Sequence, residues 1–317
     1  MYPLSDRMKP SINNLPHGAY CELDELIRLR YPARELKLTR QRKVFSRLVG
    51  PHQARFRGRG IEFEEVRIYQ PGDDIRNIDW RVTARSGKPH TKMFREERER
   101  PVLLMVDQSL SMFFGSRNCF KSVLAAYIAA LLAWAAFQNN DRVGGLVFNG
   151  REHAEVRPKR SAKNVLRLLS YIDDFNHRLD RQFTPVEHAI NGSLEELRRI
   201  TRPGANIFIL SDFKGLNKNG IKHLHLLSKH NDITAVRIYD PLEQHLPPEG
   251  HYTITDGENR LSLYSGNPEL RHRYRERFRI ENDHLLELLG PLGIAILPIS
   301  TADAPLQYFR QLLGGRK

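Results

Sequence analysis

At 317 residues the chain is long enough to bury a sizeable core, as one large domain with an elaboration or as two domains. Its two cysteines, Cys21 and Cys119, have no CxxC partner, which leaves no support for a disulfide framework or a cysteine zinc site. The formal charge is +13, and no run approaches the ~18 apolar residues of a spanning helix; the longest, Val123–Phe137, is rich in Ala and reads as a helix buried in a core.

Residues 1–20 carry Pro3, Pro10 and Pro16 with little apolar periodicity and read as a disordered lead-in. They contain no apolar export segment, so a cytoplasmic location is expected. A basic elaboration of helices and strands is expected over 21–100. In CELDELIRLR, Leu23, Leu26, Ile27 and Leu29 support a short helix ended by Pro32, and a second helix is expected from Ala33 to Leu48. Arg28–Gly60 holds eleven Lys or Arg residues against one acid, Glu35. Arg55, Arg57 and Arg59 lie in this stretch and are candidate partner contacts. Pro71–Gly72 marks a turn, where Asp73 and Asp74 can turn onto backbone N–H groups or nearby arginines, or meet a partner, with Trp80 as an apolar anchor.

From Pro101 to the C-terminus strands alternate with helices. The apolar run Val102–Val106 ends on Asp107 and suits a strand buried on both faces. An Ala-rich core helix follows near Arg117–Gln138. Strands are expected at Arg142–Phe148, Glu152–Val156 (an edge), Ala205–Leu210, Ile233–Tyr239 and Gly293–Ile299. Helices are expected at Ser161–Ile172 with Ser161 as N-cap, Thr184–Ile200, Asn217–His230 and Pro268–Leu289. This rhythm predicts an α/β fold, a doubly wound and mostly parallel sheet over 101–317. Residues 251–266 alternate around Asp256–Gly257 and read as an inserted β-hairpin outside the main sheet.

Asp107, Ser109 and Ser111 follow at alternate positions and present only oxygens, which suits a hard cation such as Mg2+ or Mn2+. The same edge should receive Asp212 after the strand ANIFIL and the Thr184 hydroxyl at a helix mouth. His223, His225 and His230 sit on a helix at spacings that point them apart, so they read as scattered side chains.

This D-x-S-x-S, with a later Thr and Asp, resembles the metal-ion-dependent adhesion site of von Willebrand factor A domains. The run GIEFEEVRIYQPGDDIRNIDWRVTARSGKPHTKMFREERE before DQSLSM resembles the bacterial family called domain of unknown function 58. The resemblance implies a von Willebrand factor A-like fold in which Ser109, Ser111 and Thr184 touch the metal, with Asp107 and Asp212 holding it directly or through water. Gln182–Phe183 replace the glycines usual before the threonine. It implies a protein partner that offers an acidic side chain to the metal, and a MoxR-type AAA+ ATPase as that partner, with no catalysis. Two other functions compete. Nucleic-acid binding through the basic stretch has no reading motif behind it. A metal-dependent phosphohydrolase of the haloacid-dehalogenase kind needs an acid where Ser109 stands.

Overall fold

The computed structural model describes residues 15–36, 38, 62–70, 73–95, 100–179, 189–255 and 260–313. The chain forms two compact units, Arg55–Arg100 and the remainder, Met1–Ala54 with Pro101–Lys317. The stretch read as one elaboration over 21–100 therefore contributes to both.

In the smaller unit, β1 (Glu62–Ile68) pairs antiparallel with β2 (His90–Arg95). The connection is built from local caps. Asp74 accepts from Arg76 N–H to open a 3-10 turn, and Asp79 accepts from Arg81 and Val82 N–H to start the helix Trp80–Ser86. Gly87, at φ 70°, ends that helix in the left-handed region that glycine tolerates. Trp80 is not the apolar anchor expected of it, since it is 69% exposed.

The larger unit is organised on a six-stranded sheet. Its strands are β3 (Pro101–Asp107), β4 (Arg142–Phe148), β5 (His153–Lys159), β6 (Asn206–Ser211), β7 (Asp232–Tyr239) and β10 (Ala295–Ser300). They lie in the order β10-β7-β6-β3-β4-β5. Every pairing is parallel except that of the edge strand β5 with β4. Counted within the unit, this is the doubly wound order 3-2-1-4-5-6, whose ligand crevice opens at the carboxyl ends between the first and fourth strands. Those strands are β3 and β6.

The central strand is apolar on both faces because both are covered. Val102, Leu104 and Val106 belong to a core shared with the helices Lys121–Gln138, Ala162–His177 and Pro305–Leu313. Leu103 and Met105 belong to a second core with Ala189–Ile200 and Lys218–Ser228. The helix Lys121–Gln138 is apolar enough to cross a bilayer by composition, but 89% of it is buried inside the protein. Its Ala residues let it approach the sheet closely, and Gly145 does the same from β4. A Cβ on Gly145 would lie 2.3 Å from the Leu104 carbonyl oxygen.

Several boundaries differ from expectation. The core helix starts at Lys121 rather than near Arg117, because Lys121 N–H bonds to Phe114 across a turn. Ser161 is the N-cap residue of its helix but makes no side-chain cap bond. Of the helix expected over 33–48, the described residues show a 3-10 turn at Pro32–Glu35, and most of the rest lies outside the described residues. The C-terminal helix Pro305–Leu313 was not foreseen. The Leu23–Arg28 helix is part of the larger unit, where Trp134 Nε1 donates to the Leu26 carbonyl at 3.1 Å.

Among the described residues, strands β8 (His251–Thr255) and β9 (Arg260–Tyr264) pair only with each other, as the sequence predicts for the hairpin. Ile254 and Leu261 on it are 52% and 65% exposed, so it buries little. Replacing residues 252–263 by a two-residue turn should leave the thermal midpoint within about 2 °C of the parent. A drop of ten degrees or more, followed by circular dichroism, would make the hairpin part of the core.

Candidate functional site

Three acids stand at the carboxyl ends of neighbouring parallel strands. Asp107 ends β3, Asp212 follows β6 and Asp240 follows β7. Asp107 and Asp212 thus lie on one edge at the crossover of the sheet. Each carboxylate is answered differently.

Asp107 is 3% exposed. Its Oδ1 accepts from the Ser109 backbone N–H at 2.9 Å and its Oδ2 from Ser211 Oγ at 2.6 Å. Among the described residues no ammonium or guanidinium pairs with it. Burial, then the negative charge of Asp212, pushes its pKa up to about 6 against the pull of those hydrogen bonds. The loop beyond it is fixed by a buried relay. Gln108 N–H donates to Phe148 O, its Nε2 donates to Ser122 O, and Asn176 Nδ2 donates to its Oε1 at 2.9 Å. Ser109 and Ser111 emerge half-buried from that loop with their hydroxyl oxygens 3.2 Å apart.

Asp212 is committed elsewhere. Its Oδ2 accepts from Lys121 Nζ at 2.9 Å and its Oδ1 from the Lys214 N–H at 3.0 Å. Phe213 follows in the left-handed region, at φ 59°, an arrangement that costs a non-glycine residue energy and sharply turns the chain. Lys121 is fully buried and also donates to Glu243 Oε1 at 2.8 Å. Burial opposes its charge, but Asp212 and Glu243 outweigh burial and raise its pKa. For Asp212 burial raises the pKa, and Lys121 and Lys214 more than reverse it. Asp240 is also depressed despite burial, because Ser116 and Thr301 hydroxyls and the Ser116 and Leu242 N–H groups bond to it.

A cation tests this arrangement simply. Adjacent oxygens of an octahedral magnesium at ~2.1 Å stand ~3.0 Å apart, close to the Ser109 and Ser111 spacing. Asp107 adds a buried carboxylate without a cationic partner. These three residues fit a hard cation, whereas Asp212, already neutralised by Lys121, fits only as a more distant support. Thr184, Arg55, Arg57 and Arg59 lie outside the described residues. Asp73 pairs with Arg67 at 2.7 Å and accepts from Gln70 N–H, so with Asp74 it forms a self-neutralising turn. The partner is Arg67 and not Arg76, Arg81 or Arg85. His223 is buried while His225 and His230 are exposed, which separates the three.

Lys121 and Glu243 belong to the strand-end network, and sequence reading did not place them there. The one signal was Lys121 itself, the sole charge in KSVLAAYIAALLAWAAF.

The family model described as Protein of unknown function DUF58 matches residues 65–284. The chain is 28% identical over 306 residues to Uncharacterized protein Rv1480 of Mycobacterium tuberculosis and to Uncharacterized protein Mb1516 of Mycobacterium bovis, covering 94% of this chain and 92% of each relative. Among solved structures it is similar to the conserved hypothetical protein BatB from Bacteroides thetaiotaomicron, with TM-score 0.39, 15% identity, and 67% of this chain and 98% of that one covered. It is also similar to a von Willebrand factor type A protein from Catenulispora acidiphila, with TM-score 0.37, 12% identity, and 71% and 43% covered.

Two outcomes follow for stability. The folded-state pKa of Asp107 lies above its unfolded value, so folding binds its proton more tightly and loses stability as pH rises from about 3.8 through about 6. Asp107→Asn in metal-free buffer should therefore be more stable than the parent at pH 8, by up to about 3 kcal/mol, with the gap closing below pH 4. Urea titrations at both pH values measure it. Lys121→Met should cost about 3–5 kcal/mol at pH 7, because it removes the ammonium from the buried Asp212 and leaves the half-buried Glu243 with Lys214 alone. A loss under 1 kcal/mol would show that Asp212 and Glu243 do not depend on the lysine.

Proposed function

The chain belongs to the family described as Protein of unknown function DUF58, and on that premise we propose that it is a protein-interaction module that engages its partner through a divalent cation. Asp107, Ser109 and Ser111 would hold the ion, Mg2+ or Mn2+, with Asp212 supporting from behind its lysine. The observation that carries this reading is Asp107. Among the described residues it is a buried carboxylate without a cationic partner, placed beside two converging hydroxyls at the crevice of the sheet.

The charge balance supports recognition of an acidic group. Because Lys121 neutralises Asp212, the cation would meet one net negative charge rather than two. An ion held so keeps residual positive charge, and its open position attracts a carboxylate from the partner. Its role when bound is to complete that bridge; Ser109 and Ser111 orient it, and the Gln108–Asn176 relay keeps the loop from relaxing. A non-catalytic role accords with Ser109, which stands where a phosphohydrolase would need a proton donor. The family resemblance points to a MoxR-type AAA+ ATPase as partner, in the cytoplasm, in assembly or maturation of a protein complex.

Calorimetric titration with Mn2+ should show one site in the parent, at least tenfold weaker binding in Asp107→Ala and a smaller loss in Ser109→Ala. Capture of a MoxR-type ATPase should require magnesium and fail in EDTA. Capture that is unchanged in EDTA would remove the cation from recognition, and phosphatase turnover abolished by Asp107→Ala would replace the interaction reading with an enzyme.

A further inference from the structure

A second feature of the larger unit lies beyond the cation loop. A cavity of about 570 Å3 opens between the carboxyl ends of β6 and β7 and the helix Pro268–Leu289. That volume is in the range of small-molecule sites. Arg237 of β7 lines it, is 7% exposed, and has its Nη1 buried without a hydrogen-bond partner among the described residues. Its guanidinium carbon lies over the Phe278 ring, 5.0 Å from the centroid. A buried donor of this kind is costly unless something accepts from it.

The acids of the cavity wall are already engaged. Lys121 pairs with Asp212 at 2.9 Å, Lys121 and Lys214 with Glu243 at 2.8 Å, and Arg277 with Glu281 at 3.1 Å. Lys214, Arg237 and Arg277 line the cavity with three carboxylates, and Lys121, behind the wall, pairs with two of these; counting it, four cations meet three carboxylates, and the one in no ion pair among the described residues is Arg237. Phe213, Leu216, Phe278, Leu285 and Leu288 give the cavity an apolar wall.

We propose that this cavity binds a small-molecule monocarboxylate with an apolar body, its carboxylate paired to the Arg237 guanidinium. One uncompensated positive charge matches a monoanion. A planar guanidinium fork matches a carboxylate in two parallel hydrogen bonds. The stacked Phe278 and the leucines take the apolar body. The site uses none of Asp107, Ser109 or Ser111, so it stands or falls apart from the cation.

Octanoate is the probe, titrated into the full chain at pH 7.5 by calorimetry, in EDTA so that the cation loop plays no part. Saturable binding at one site is expected, with octanamide at least tenfold weaker because it lacks the charge. Arg237→Met removes an unpaired buried cation, so its thermal midpoint should hold or rise while octanoate binding falls at least tenfold. Leu288→Trp keeps Arg237 but fills the cavity and should weaken octanoate as much; it decides the matter alone if Arg237→Met does not fold. Absence of saturable octanoate binding, equal binding of octanamide, or full binding by the Leu288→Trp variant would each overturn the proposal. Octyl phosphate binding tenfold tighter than octanoate would overturn the carboxylate assignment.

Discussion

The ammonium of Lys121 is the point on which the strand-end architecture depends. It sits at the first turn of the core helix, fully buried, and joins Asp212 after β6 to Glu243 after β7. A lone charge there would cost several kcal/mol of desolvation, and so would either carboxylate. Together they are tolerated, and the lysine fixes three chain segments in one place. Asp240 reinforces the same corner, since its side chain caps the turn at Pro241–Gln244 while Glu243 returns a bond to the Asp240 N–H.

This pairing also gives the two acids at the crossover different chemical characters. Asp212 is an ionised structural partner, depressed by its lysines despite burial. Asp107, on the neighbouring strand, holds its proton more tightly than an ordinary carboxylate, first because it is buried and then because it faces the Asp212 charge. A symmetric pair of carboxylates would bind a cation between them. In the asymmetric pair only Asp107 is left without a cationic partner among the described residues.

The fold was legible because two-sided parallel strands leave a plain trace. VLLMV and IFIL are unbroken apolar runs, and each lies in a strand with helices on both faces. Asp107, Ser109 and Ser111 were legible because their grouping is local, set by alternation along a few residues. Lys121 was not, because its partners lie 91 and 122 residues away and no period in the sequence encodes them. Trp80 was misjudged for a related reason: a large aromatic is read as an anchor, while its exposure is set by the local caps of Asp74 and Asp79. At the turn, where the sequence leaves backbone N–H groups, arginines or a partner open to Asp73 and Asp74, the arginine that pairs with Asp73 lies upstream on β1.

The position of β3 between β4 and β6 has a consequence for biosynthesis. Ser211, which completes the hydrogen bonding of Asp107, is 104 residues downstream. At ~5–20 residues per second, roughly 5–20 s separate the emergence of the two from the ribosome. During that interval β3 can pair with β4, but its other edge, which β6 later covers, presents unpaired backbone flanked by apolar side chains. The nascent chain therefore passes through a stage with an open, adhesive sheet edge at its centre, and the last act that closes this edge is the same one that seats Ser211 against Asp107.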